Sequence, residues 1–333
     1  MEFLYNNFIA DFFYWCLKGL EFLFSSYPVA IIVLTILIRL ALLPLDLRQK
    51  NNQRRMSELG PEINSLKKRY ANNPQQLQRK QQELYRKRGV RPMAGCIPMI
   101  IQLPILFAFF GAMRLLAAEQ TVGVLLDAAE YGADTVALPS FAWINNFWQP
   151  DAGHAPIFPD AANFLSFVQQ YSSNISAQAL MMMKSQGILI YADNVVTVGA
   201  EAYSSLTSGI IVANGVEGVN NGWYILPALS GAALFLQQKF SPQSANAMGG
   251  NPMMPVTADD QSAEQQQAQG CSQKVMMWVM PIFSIYICIQ SNAAFALYWF
   301  VSSLYAFLQG RVVDLVRKKQ DEKRKKEKEI IIS

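Results

Sequence analysis

The sequence predicts an all-α integral membrane protein with five transmembrane helices, an N-terminal interfacial amphipathic helix and a cytoplasmic helical hairpin. Three observations carry that prediction. First, a chain of 333 residues is 52% hydrophobic and only 16% charged, where a soluble domain carries about a quarter charged residues. Second, five apolar runs approach the roughly 20 residues that cross a bilayer, at 28–47, 96–117, 222–240, 275–291 and 293–310. Third, charge is sorted along the chain. Segment 48–91 has thirteen basic and three acidic residues, nine basic residues follow Gly310, and 119–221 holds one lysine, Lys184, against nine acids. Lys and Arg collect on the cytoplasmic side, so the N-terminus is expected outside and the C-terminus inside the cell membrane.

Residues 1–26, "MEFLYNNFIADFFYWCLKGLEFLFSS", are aromatic but interrupted by Asp11, Lys18 and Glu21. That pattern suits a helix lying in the membrane interface; an amphipathic helix packed in a core is the alternative. No basic start or small-residue cleavage site marks a secretory signal, and Cys16 follows Phe-Tyr-Trp rather than the small residues of a lipidated cysteine. Cys16, Cys96, Cys271 and Cys288 lack pairing or metal spacing and read as free thiols.

Residues 27–118 contain the first two spans and the basic segment 48–91. There Met56, Leu59, Ile63 and Leu66 recur at helical spacing, "ANNPQQ" breaks the helix, and Leu77 and Leu84 mark a second one. A basic helical hairpin is expected, although a solvated connector fits the charge equally well. In the outer segment 119–221, "FAWINNFWQP" is expected to return to the membrane interface. Its later part, 161–221, mixes a helix-like run, "ALMMMKSQG", with the β-branched and Gly-rich "GILIYADNVVTVGA"; the sequence assigns it neither fold nor role. Residues 222–311 contain the last three spans, a flexible loop at 241–273 and a tight turn at "IQSNAAF". Residues 312–333 form a basic tail.

Arg39 sits in the middle of "PVAIIVLTILIRLALLPL", where only Thr35 is otherwise polar. An arginine near a bilayer centre costs from about 3 kcal/mol on insertion scales to more than 10 in simulations. Nine residues separate it from Arg48, on the order of 14 Å of helix, which is deep for snorkelling. No span holds an acid at depth, and Asp46 stands near the cytoplasmic end of its own helix. Polar partners must therefore come from elsewhere. Thr35 shares Arg39's face at i, i+4. Gln102 lies in the second span, and Ser230, Gln237 and Gln238 in the third. Ser284, Cys288 and Ser291 line the fourth, and Tyr298, Ser302, Tyr305 and Gln309 the fifth. Small polar residues also glue membrane helices together, but an arginine without a carboxylate favours a wetted cavity and a functional site.

Other chemistries find little support. A transporter or channel is the alternative reading, yet no internal repeat is visible and, apart from Asp46 and Lys239 at the span ends, only Arg39 and Arg114 are charged within the spans. Arg114, near the outer end of its helix, reads as an interfacial anchor. The sole histidine, His154, stands beside Asp151 in the outer segment and reads as a surface residue. No Ser/His set or carboxylate pair falls at depth, and no metal cluster or phosphate-binding motif is present. The expectation is a non-enzymatic protein without cofactor or metal.

Several stretches, in order, resemble one known family. They are "AIIVLTILIRLALLPLDLRQ", the basic hairpin, "RPMAGCIPMIIQLPILFAFF", "WYILPALSGAALFLQQKF", "KVMMWVMPIFSIYI" and "ALYWFVSSLYAFLQ". Together they resemble the YidC family of membrane protein insertases, with its mitochondrial and chloroplast relatives, in a Gram-positive-type member. The resemblance implies a five-helix hydrophilic groove open to the cytoplasm and to lipid and closed outside, with Arg39 as its central arginine. It implies substrate contact for Tyr298 and Trp299 and for Gln237 and Gln238; Thr35, Gln102 and Ser302 join them from the polar stripe. It further implies insertion of nascent membrane proteins without ATP, alone or with the Sec translocon, by a monomer sufficient in itself. The tail would meet the ribosome or anionic lipid, and the hairpin the targeting machinery. Three departures stand out: "QSNAAFALYW" lacks the proline usual before that turn, 161–221 is an insertion, and the large outer domain of Gram-negative members is missing.

Overall fold

Apolar periodicity and a handful of capping residues account for most of the elements in the computed structural model, which describes residues 8–90, 97–171, 173, 175–192, 195–240 and 278–332. In chain order these are α1 (Phe8–Phe24), α2 (Tyr27–Glu58), α3 (Gly60–Arg69), α4 (Pro74–Lys87) and α5 (Ile97–Tyr131). Then come α6 (Ala161–Tyr171), α7 (Ala177–Ser185), β1 (Leu189–Ala192), β2 (Val195–Val198) and α8 (Ala200–Ala213). The last three are α9 (Ile225–Lys239), α10 (Trp278–Gln290) and α11 (Ala293–Ile332). The expected loop 241–273 lies outside the described residues, as do Cys96 and Cys271.

Among the described residues three helices are long and apolar enough to cross a membrane: α2, α5 from Gln102 onward, and α11 as far as Lys323. The other two expected spans are shorter. α9 has 15 residues, about 22 Å of helix, and α10 is likewise a short apolar helix. Residues 275–277, where the fourth expected span starts, are outside the described residues. Pro44 and Pro104 stand inside α2 and α5 without ending them, which packed membrane helices tolerate by re-pairing the freed carbonyls.

Packing divides the chain into two units. The first comprises Met1–Leu34, Pro104–Ser230 and Ser284–Phe300; the second comprises Thr35–Leu103, Gly231–Phe283 and Val301–Ser333.

In the first unit α1 buries Ala10, Phe13, Tyr14 and Leu17 and exposes Phe8, Phe12, Trp15 and Phe22, so that aromatic side chains stand on both of its faces. Its interrupting lysine has a use. Lys18 Nζ donates to Glu119 Oε1 and Tyr14 Oη to Glu119 Oε2, both at 2.6 Å, tying α1 to α5. Because α5 runs past the expected end of its span, its C-terminal turns become the floor of a lobe. Val122, Leu125 and Ala128 there pack with Phe164 and Val168 of α6, Met183 of α7, Leu189 of β1, and Tyr203 and Ile210 of α8. The segment to which no fold was assigned is thus three helices and an antiparallel hairpin with Leu189 opposite Val198. Asp160 and Ser176 cap α6 and α7, accepting from Asn163 N at 2.7 Å and Ala179 N at 3.1 Å.

The Tyr203 hydroxyl donates to the Pro159 carbonyl at 2.6 Å. Burial, and secondarily the Asp160 carboxylate, push its ionisation well above the ordinary value of 10.0. The neutral phenol is the form the lobe holds. Its contribution is complete below the unfolded value and is lost as pH rises from there toward the folded value. Thermal melts of the purified protein should therefore fall above about pH 10, and Tyr203→Phe should flatten that fall while costing about 1 kcal/mol at neutral pH.

Within "FAWINNFWQP", the segment expected at the membrane interface, Ile144, Phe147 and Trp148 are buried in the first unit. This loop spends its backbone on helix ends. Gln149 O and Phe147 O accept from Ala293 N and Ala294 N at the start of α11. Asp151 is fully buried and accepts from Trp223 N and Leu226 N at the start of α9, both at 2.7 Å, and from Trp143 Nε1 at 3.2 Å. Its neighbour His154 is exposed as expected, with Nδ1 2.8 Å from the Tyr224 hydroxyl.

In the second unit α2 continues past the apolar run to Glu58 before the hairpin begins. The break expected at "ANNPQQ" is present: Asn73 accepts from Gln76 N at 3.0 Å and Pro74 opens α4. Leu59, Ile63 and Val90 form the hairpin's small core, with Met56, Leu84 and Tyr85 against it. The tail is helical too, since α11 runs on to Ile332 and lies along the extension of α2, where Arg54 pairs with Asp321 at 2.9 Å and Arg317 donates to Asn51.

Candidate functional site

The site is built on two helices of the second unit. On α2 the apolar run leaves Arg39 half-buried. Across from it, α11 presents Ser302, which is 5% exposed. Arg39 Nε donates to Ser302 Oγ at 3.0 Å, and Nη2 donates to the same hydroxyl. A hydroxyl accepts hydrogen bonds without cancelling charge, so the guanidinium is held in place while its positive field remains available. That arrangement fits a group meant to act on something that arrives, because an arginine neutralised by a carboxylate would have little left to offer.

Thr35, one turn before Arg39, is buried at 1% exposure. Gln102 near the start of the described part of α5, and Gln237 and Gln238 at the end of α9, are half-buried in the same unit. Of the residues singled out from sequence, the described hydrogen bonds join Arg39 to Ser302. Tyr298 and Trp299 belong to the first unit. The Tyr298 ring is 3% exposed and stacks on Phe109 with centroids 4.1 Å apart, and Trp299 packs near Phe295. Ser230, Ser284 and Cys288 are also buried in that unit. Ser230 Oγ donates to the Ala296 carbonyl at 3.3 Å, and Cys288 lies beside both serines. They are packing contacts between α9, α10 and α11, the role small polar residues commonly have in membrane bundles. Arg114 lies over the Phe110 ring at 5.9 Å.

Among the described residues no group of three or more His, Cys, Asp or Glu could hold a metal ion. What the site offers is a localised positive charge, hydroxyls and amides. It can attract, orient and release a polar group.

The sequence matches the family model described as 60Kd inner membrane protein over residues 19–214 and 207–321. The chain belongs to that family, the family of the YidC insertases. Among similar relatives, the membrane protein insertase YidC of Clostridium perfringens is 38% identical over 143 residues, 43% of this chain and 53% of the relative. The YidC insertase of Fusobacterium nucleatum is 28% identical over 309 residues, 93% of this chain and 96% of its own length. The insertase MisCA of Bacillus subtilis is 26% identical over 289 residues, covering 86% and 69%. With three helices among the described residues suited to crossing a bilayer, this member of the family is a multi-pass membrane protein.

Sequence reading missed two residues that the structure makes prominent. Asp151 caps α9 from 72 residues away, and no local pattern announces a carboxylate whose partners are distant backbone amides. Asp46 was placed at the edge of the span, but its spacing of seven from Arg39 was a usable signal.

Proposed function

We propose that the chain is a membrane protein insertase that passes the polar end of a nascent protein across the cytoplasmic membrane and releases the apolar segment into lipid. The observation that carries this reading is Arg39, held by the Ser302 hydroxyl inside an otherwise apolar stretch of α2, in a chain whose relatives bear the name insertase. Five segments cross the bilayer in this reading, with the N-terminus outside and the C-terminus in the cytoplasm. The brevity of α9, 15 residues long, suits a locally thinned polar groove, because less apolar length is needed there.

The mechanism needs no bond-making. A polar groove reaching part-way through the membrane shortens the apolar distance a translocated end must cross. Arg39 attracts acidic groups in that end, more strongly than bulk water would allow. Thr35, Gln102, Gln237, Gln238 and Ser302 would hydrate or contact the passing chain. For Tyr298 and Trp299 the family resemblance implies substrate contact, in addition to the packing of Tyr298 on Phe109. Moving the apolar segment into lipid, at about 25 cal/mol per Å², drives the process without ATP. The Sec translocon is a partner for some substrates. The tail, carried on α11, faces ribosome or anionic lipid with its lysines, and the α3–α4 hairpin meets targeting factors.

The test is reconstitution. Liposomes holding only this protein should insert a small single-span reporter without nucleotide, scored by protection of its translocated end from added protease. Folded protein that inserts no more than empty liposomes would overturn the reading.

A further inference from the structure

Arg39 is not the only charge on its face of α2. Asp46 follows it by seven residues and Lys50 by eleven. At 3.6 residues per turn both return to within about 20° of Arg39's direction, roughly 10 and 16 Å further along the axis. Both are half-buried in the second unit. Arg39 and Lys50 are the cations whose fields reach the Asp46 carboxyl, and Gln309 of α11 approaches it, with its Nε2 enclosed and outside good hydrogen-bond geometry. Lys50 Nζ is enclosed as well and makes no hydrogen bond, 3.5 Å from where a Cβ on Gly310 would stand. A lysine serving only to anchor the helix end would stretch its ammonium into water; this one is turned against α11. The seam therefore carries a row of alternating charge: positive at 39, negative at 46, positive at 50.

Such a row acts differently from a lone arginine. A chain end travelling from the cytoplasm to Arg39 passes Lys50 and then Asp46, at depths where charges are weakly screened. An acidic end is drawn by Arg39 but opposed by Asp46 on the way. A basic end, which Arg39 alone would reject, finds a counter-charge one stage earlier. We propose that Asp46 sets the charge selectivity of the groove, moderating the preference for acidic over basic translocated ends that Arg39 by itself would impose. The proposal rests on the insertase reading.

The test uses the full chain in liposomes and three single-span reporters identical except for acidic, neutral or basic translocated ends. The readout is the ratio of acidic to basic insertion, so a change in total yield cancels. In Asp46→Asn that ratio should rise roughly five- to tenfold over wild type, and in Lys50→Gln it should fall below wild type. A ratio within about twofold of wild type in Asp46→Asn protein that still inserts the neutral reporter overturns the proposal while leaving the insertase reading standing. Should Asp46→Asn not fold, Lys50→Gln decides: a lowered ratio supports the alternating row, and an unchanged one overturns it. Wild-type protein that inserts none of the three overturns both readings.

Discussion

Arg39→Ala should cut insertion of an acidic-ended single-span reporter roughly thirtyfold, the equivalent of about 2 kcal/mol. Arg39→Lys should retain most of it. The size follows from the setting. A unit charge meeting a carboxylate at about 4 Å gains near 1 kcal/mol in water and about 4 at the effective dielectric of a protein surface, and a half-buried guanidinium falls between them. Lysine keeps the charge but loses the planar fork that shares two N–H groups with the Ser302 hydroxyl, so its ammonium is less well placed. A neutral-ended reporter should lose much less in Arg39→Ala. Protease protection of paired reporters, normalised to the amount of folded protein, checks all three outcomes. Equal losses for both reporters would assign Arg39 to the fold instead of to the passing chain.

The second large effect concerns stability. Asp151→Ala should cost roughly 3–5 kcal/mol, because it strips the acceptor from two backbone N–H groups and the Trp143 indole in a fully buried place. Gly222→Ala should approach that cost by another route. A Cβ there would stand 2.1 Å from Asp151 Oδ1 and 2.8 Å from Asp151 Cα. The carboxyl could swing away only by giving up the start of α9, and the Cα cannot swing at all. Asp151→Asn, which keeps one acceptor oxygen and the shape, should lose less than Asp151→Ala. Thermal unfolding of the detergent-purified variants measures this directly; near-wild-type melting of Gly222→Ala would show that the loop 141–155 is not the clamp on α9 that its hydrogen bonds describe.

Sequence reading worked where one residue type carries its own physical consequence. Arg39 announced itself because nothing else in its run resists the bilayer, and Asn73-Pro74 marked a helix start because a capping amide and a pre-set φ are needed there. Ser302 stood on a polar stripe at helical spacing and proved to be the arginine's partner. The same stripe also gathered Tyr298, whose ring is committed to Phe109, since spacing gives a face of a helix and says nothing about what that face meets. Helix ends were less legible. α5 was expected to stop near residue 117 but continues to Tyr131, because Val122, Leu125 and Ala128 extend the apolar period into a lobe core that only tertiary packing creates. The hairpin at 189–198 was hidden by the same dependence: its β-branched run becomes strand once α6 and α7 cover it.

One measurement addresses the central claim most directly, that a substrate passes beside Arg39. A photo-crosslinking side chain would replace Tyr305, one turn past Ser302 on the polar stripe of α11, or Phe307, about 160° round the same helix and beside Phe240. Each variant would meet a reporter arrested half-inserted. The account predicts crosslinks from position 305 to the polar end of the reporter, diminished when Arg39 is alanine, and few from position 307 to that end. Equal crosslinking of the polar end at both positions, unaffected by Arg39→Ala, would contradict it.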